Sequence, residues 1–216
     1  MARDTTIIEY FGIPGCGKST LCKSQKTGLS ENVATSSDIS KEMNCTGILS
    51  KIACIPWHVI IPILRLYVSF PFAGFRNFPF YRILIKKEFI YTFIKKYSNY
   101  NTVCIDHGMA QSVLGLVLCN INAYNPKIRD IVCDILSKSL SNKIVFCSVM
   151  PETAFSRMRN RNNHPLGRLE KIKDDKELIN NLVVQNSLFR DLAACLSDKI
   201  PSKYSYLEND RDINEI

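Results

Sequence analysis

Apolar positions along the chain change period several times. Thr5–Phe11 (TTIIEYF), Thr102–Asp106 (TVCID) and Lys143–Met150 (KIVFCSVM) are short, nearly continuous apolar or β-branched runs. Runs of that length read as buried strands. Asn32–Ser37 and Lys203–Leu207 are weaker candidates for a second and a last strand. Between them lie segments of helical character: Ser19–Lys26, Met109–Cys119, Pro126–Leu140, Pro151–Arg161 and Ile172–Leu196. Pro126 and Pro151 suit the first turns of their helices. In the last helix Ile179, Leu182, Val183, Phe189, Leu192 and Leu196 are expected to form the apolar side. Residues 40–100 read as mostly helical pieces separated by prolines, with Ile83, Leu84, Ile90, Phe93, Ile94 and Tyr97 at roughly helical spacing. Strands alternating with helices predict one α/β domain over 1–216, a parallel sheet covered on both faces. Residues 40–100 would form a helical lobe over the strand ends.

Composition narrows the class. The chain has 216 residues, 46% apolar and 22% charged, which excludes disordered, collagen-like and coiled-coil chains. Its nine cysteines are an odd number, no pair reads Cys-x-x-Cys, and there are three histidines. That argues against a disulfide framework or a zinc site and fits a reducing compartment. The start, MARDTTIIEYFG, carries both charge signs and no long apolar centre, unlike a signal peptide. A cytoplasmic protein is the expectation. The longest uncharged run in the apolar stretch 48–75 is Ile52–Leu64, 13 residues, against roughly 20 for a membrane span. It reads as buried or interfacial.

The net charge is +8, and it is uneven. Arg65–Lys96 holds seven basic residues against Glu88, and Arg157–Lys173 holds six against Glu170. The tail from Leu207 is acidic. Two basic blocks around a neutral core favour an anionic ligand. The same residues would also suit solvated helix faces.

The first strand runs into Gly12-Ile13-Pro14-Gly15-Cys16-Gly17-Lys18-Ser19, which fits the phosphate-loop pattern G-x-x-x-x-G-K-[ST]. Gly12 and Gly17 allow sharp turns and close approach to phosphate. The N–H groups of residues 12–19, Pro14 supplying none, form an anion nest at a helix start. Lys18 is expected on the β- and γ-phosphates, Ser19 on Mg²⁺, and Thr20 near the α-phosphate. Gly15 and Cys16 complete the cradle. The context, strand then helix, is the one the motif needs, so a P-loop NTPase fold follows.

Three further elements carry candidate chemistry. Asp106 ends a buried strand, at the edge where such sheets hold ligands. A carboxylate there can hold Mg²⁺ or accept a proton. It could equally cap the next helix. His107 follows, open between substrate contact and packing. Arg157 and Arg161 are four apart and share a helix face, and Arg168 follows a loop containing Pro165 and Gly167. Residues 157–168 thus read as an arginine-rich lid that closes over ATP and excludes water, or as a solvated basic helix end. Asp38, in Ser36-Ser37-Asp38, is a candidate acceptor contact or a plain helix cap.

GIPGCGKST, the strand-end Asp106, and ETAFSRMRNR with Arg168 together resemble the nucleoside and nucleotide kinase branch of P-loop proteins, closest to thymidylate-kinase-like enzymes. The resemblance implies a five-stranded parallel sheet, ATP with Mg²⁺, and Arg157 and Arg161 gripping phosphates. It also implies an acceptor beneath the lobe. Two positions depart from that pattern. Thymidylate kinases usually carry an acid directly before the first loop glycine, where this chain has Phe11, with Glu9 three residues before Gly12. They usually carry arginine after the strand-end aspartate, where this chain has His107.

The expected function is therefore ATP-dependent phosphoryl transfer to a nucleoside, nucleotide or similar small acceptor. Two alternatives stay open. One is an ATP-driven switch, although the GTPase motifs Asp-x-x-Gly and Asn-Lys-x-Asp and the transporter motif LSGGQ do not occur. The other is an interaction protein docking on a membrane surface or partner through residues 48–96. No nucleic-acid module is recognisable, so nucleic acid is not an expected partner. The sequence leaves a homodimer open.

Overall fold

The computed structural model describes residues 5–28, 32–44, 57–69, 74–160 and 174–210. Five strands, β1 (Thr6–Phe11), β2 (Val33–Thr35), β3 (Thr102–Ile105), β4 (Lys143–Ser148) and β5 (Tyr204–Glu208), form one sheet in the order β2-β3-β1-β4-β5. Every pairing is parallel. The predicted strands are all present. β1 is central, with Glu9 beside Ile105 of β3 and Phe11 beside Phe146 of β4. That register brings the end of β1 next to Asp106.

The helices, in chain order, are α1 (Lys18–Gly28), α2 (Ser36–Asn44), α3 (Trp57–Ser69), α4 (Gly74–Tyr97), α5 (Met109–Leu118), α6 (Pro126–Lys138), α7 (Pro151–Arg159) and α8 (Asp175–Lys199). Caps set several boundaries. Asn125 accepts from Ile128 N at 3.1 Å before Pro126 starts α6, and Asp174 accepts from Lys176 N at 2.9 Å before α8. Lys203 Nζ donates to the carbonyls of Ser137 and Ser139 at the end of α6, where the helix dipole favours a cation.

The described part of the lobe is mostly helical, as expected, but its prolines do not all break helices. Pro62 lies inside α3 and Pro79 inside α4. Each costs a backbone hydrogen bond. Packing offsets it: α3 lies against α4 and α6, with the Tyr67 and Tyr81 rings meeting edge-on at 5.1 Å. No helix among the described residues is long and apolar enough to cross a membrane.

One apolar face differs from expectation. On α8, Leu178, Leu182, Phe189, Leu192 and Leu196 are buried, but Val183 is 46% exposed. One residue on from Leu182, it points about 100° away around the helix. On α4, Leu84, Phe93 and Ile94 are buried while Ile83 and Tyr97 are exposed. The inward face includes Tyr91 and two polar residues, Glu88 and Thr92. Glu88 accepts from Ser139 Oγ (2.8 Å) and Leu140 N (2.6 Å), pinning α4 to the turn after α6.

Candidate active site

Three glycines of the loop between β1 and α1 have positive φ: Gly12 (153°), Gly15 (86°) and Gly17 (89°). A Cβ on Gly15 would strike the backbone carbonyl of Ala154, and one on Gly17 would lie 2.5 Å from the Asn209 amide. The loop is thus held between α7 and the segment after β5. Asn209 Nδ2 donates to Cys16 O (2.7 Å), and Arg157 donates through NH1 to Asn209 O (2.8 Å). Gly12 N donates to Gln111 Oε1 of α5 at 3.2 Å.

Lys18 is almost fully buried. Its Nζ donates to Gly12 O (2.8 Å) and Ile13 O (3.1 Å) and lies 3.4 Å from Cys16 Sγ. Contact with the Cys147 thiol, aided by Lys18, pulls the Cys16 thiol down despite burial. Ser19 and Thr20 are exposed at the start of α1, and Pro14 is half-buried.

Ser19 Oγ donates to Asp106 Oδ2 at 2.7 Å, joining the loop to the end of β3 across 87 residues. Ser36 Oγ lies 3.5 Å from Asp106 Oδ1. Burial opposes the charge on Asp106, but the Ser19 hydroxyl and neighbouring His107 and Lys18 outweigh it. The carboxyl is held below its usual range. Burial pushes His107 down, with Lys18 and Lys87 adding to it and Asp106 opposing. A hydroxyl and a carboxylate form an all-oxygen pair that suits a hard cation such as Mg²⁺.

Behind Asp106 lies a junction at Glu9, which is fully buried. Ala110 N donates to Oε1, Tyr91 OH donates to Oε2 (3.0 Å), and Met109 N donates to Tyr91 OH (3.0 Å). A strand carboxylate and a lobe tyrosine therefore satisfy the first N–H groups of α5, the helix that follows Asp106 and His107. Gly108 allows this, since a Cβ there would collide with the Glu9 carboxylate and the Tyr91 hydroxyl. Desolvation raises the Glu9 carboxyl to about 7 against the pull of its hydrogen bonds.

The structure brings together Gly12, Pro14, Gly15, Cys16, Gly17, Lys18, Ser19, Thr20, Asp106, His107 and Arg157. Arg157 sits in α7, nearly buried beside the loop. Arg161 and Arg168 lie outside the described residues, and so does most of the expected lid. Asp38 accepts from Thr35 N, Thr35 Oγ1 and Lys26 Nζ, each at 2.9 Å. Those bonds hold its carboxyl down to about 2 although partial burial acts the other way. This is the cap reading of Asp38. Sequence reasoning missed Gln111, Asn209, Tyr91 and Lys87 as site neighbours. Glu9 was visible only as a displaced acid. Lys87 and Tyr91 carried a signal in their i, i+4 spacing, whereas nothing local marks Asn209.

A central parallel strand feeding a glycine loop and helix, with a serine paired to the aspartate that follows β3, defines a P-loop NTPase fold. Among solved structures, deoxyadenosine kinase from M. mycoides is similar, in its forms with bound dCTP (TM-score 0.50, 14% identity) and dATP (TM-score 0.49, 15% identity). Each match covers 97% of this chain and 94% of that one. This likeness is one of fold. No family model matches the sequence, and no curated protein matches it.

Proposed function

We propose that the chain is a kinase that transfers the γ-phosphoryl group of ATP to a nucleoside, nucleotide or similar small acceptor. The observation that carries this reading is the 2.7 Å bond between Ser19 and Asp106, placed beside the glycine loop. The loop amides and Lys18 bind the phosphates. Ser19 and Asp106 would hold Mg²⁺, and the ion would supply charge neutralisation for phosphoryl transfer. A carboxyl held below its usual range makes a better metal ligand than base. Arg157 borders the loop and supports the phosphate side. In the reaction an acceptor oxygen forms a bond to the γ-phosphorus as the bond to the β-phosphate oxygen breaks. ADP leaves with that electron pair, and any proton on the acceptor oxygen passes to solvent or a site base.

The test is ADP release with Mg-ATP across nucleosides, nucleoside monophosphates, sugars and a 5′-hydroxyl oligonucleotide, beside a control lacking acceptor. Stimulation by one class supports the kinase. Hydrolysis that depends on Lys18 and that nothing stimulates supports the switch instead. One observation favours a docking role in addition: Ile61, Leu64 and Val68 are exposed along one side of α3. Sedimentation with lipid vesicles tests that role.

A further inference from the structure

Two side-chain bonds tie helix α4 to β1 and its edge. Lys95 Nζ donates to Thr5 O (2.6 Å) just before the strand, and Tyr91 OH donates to Glu9 (3.0 Å) four residues further along it. Lys95 and Tyr91 are four apart, so they share one helix face. The two chains run in opposite directions. The next position on that face is Lys87, one turn beyond Tyr91 toward the strand end that carries the loop and Asp106.

The electrostatics agree with this placement. The ammonium of Lys87 acts on Glu9, Asp106 and His107. It is half-buried, yet it makes no hydrogen bond and no ion pair among the described residues. A partly desolvated cation without a hydrogen-bonded partner is costly, and an oxyanion beside it would offset that cost with charge-assisted bonds. Burial lowers the lysine's pKa despite the nearby carboxylates. Those carboxylates therefore do not fully compensate it.

The donor's phosphates have their own partners in the loop amides, Lys18 and Ser19. Lys87 reaches the site from the lobe, over the face of β1 that Glu9 occupies. On that side it stands with His107, the residue after Asp106.

We infer that Lys87 is an acceptor-binding residue and that the acceptor already carries an oxyanion, a phosphate monoester, seated on Lys87 beside His107. This rests on the kinase reading and narrows it from neutral or charged acceptors to charged ones.

The test uses the full chain with its donor site saturated by a non-hydrolysable ATP analogue and Mg²⁺. Calorimetry compares binding of the common nucleosides with binding of their 5′-monophosphates, in wild type and in Lys87→Met and Lys87→Arg. Thermal unfolding confirms that each variant folds. At least one monophosphate should bind wild type more tightly than its nucleoside. Loss of one charge-assisted contact should weaken it about tenfold or more in Lys87→Met, with Lys87→Arg retaining most affinity and ATP-analogue binding unchanged. Preference of wild type for the neutral nucleosides, binding of none of the monophosphates, or equal monophosphate binding by wild type and Lys87→Met overturns the inference. Turnover is measured in parallel. Monophosphate binding that needs Lys87 without ADP release would sink the kinase reading and leave the site standing. An equal fall in kcat for charged and neutral acceptors would place Lys87 on the transferred group and overturn the acceptor role.

Discussion

Asn209 donates through its side-chain amide to the carbonyl of Cys16 at 2.7 Å, although 193 residues separate them. The end of the last strand thereby braces the phosphate loop from outside. Asn209→Ala removes the bond and leaves Cys16 O without it, a loss of about 1 kcal/mol, or roughly fivefold, in ATP affinity. Titration with a fluorescent ATP analogue reads this directly. Unchanged affinity would mean that the loop holds its shape without the brace.

Ser19 and Asp106 should behave as one unit. Asp106→Asn is expected to lower turnover by about two to three orders of magnitude. Ser19→Ala should raise the Mg²⁺ concentration needed for half-maximal rate. Chelation with EDTA should abolish wild-type activity. A Mg²⁺ profile unaltered in both variants would contradict the assigned pair.

Gly108 is required by contact, because its neighbours occupy the space of a Cβ. Gly108→Ala should destabilise the fold by about 1–3 kcal/mol, measurable as a lower urea midpoint. A stability equal to wild type would show that the Glu9–Tyr91 junction yields easily.

Glu9 makes stability depend on pH. Its carboxyl rises from 4.5 to about 7 on folding, so between those values the folded state holds the proton longer than the unfolded chain. Stability from this group is complete below about 4.5 and falls as pH rises through about 7. The full loss is about 3 kcal/mol. Lys87, Glu88 and Tyr91 of α4 also act on this carboxyl. Urea unfolding of wild type and Glu9→Gln at pH 5, 6, 7 and 8 isolates the effect. The wild-type curve should descend relative to the variant, and parallel curves would refute it.

The strands and the glycine loop were legible because local pattern decides them: short apolar runs, then glycines, lysine and serine at fixed spacing. Asp106 was legible as an acid closing such a run. Glu9 was not legible as a junction, since a carboxylate inside a buried strand needs donors that only the packing of α4 and α5 provides. Val183 was misplaced for a related reason: periodicity marks an apolar side without showing which neighbour covers each position. Asn209 reaches the loop through sheet order alone, which leaves no mark on adjacent residues. Asp38 was ambiguous in sequence and is taken up by Thr35, just before α2, and by Lys26 of α1.

The most direct measurement is transfer of radiolabel from the γ-position of ATP to an acceptor, with Lys18→Ala alongside. Lys18 bonds the carbonyls of Gly12 and Ile13 within the loop, so the variant loses both a loop contact and the cation proposed to bind phosphate. Labelled acceptor should form with wild type and all but disappear with Lys18→Ala. Label released only as inorganic phosphate, or transfer undiminished in the variant, would contradict it.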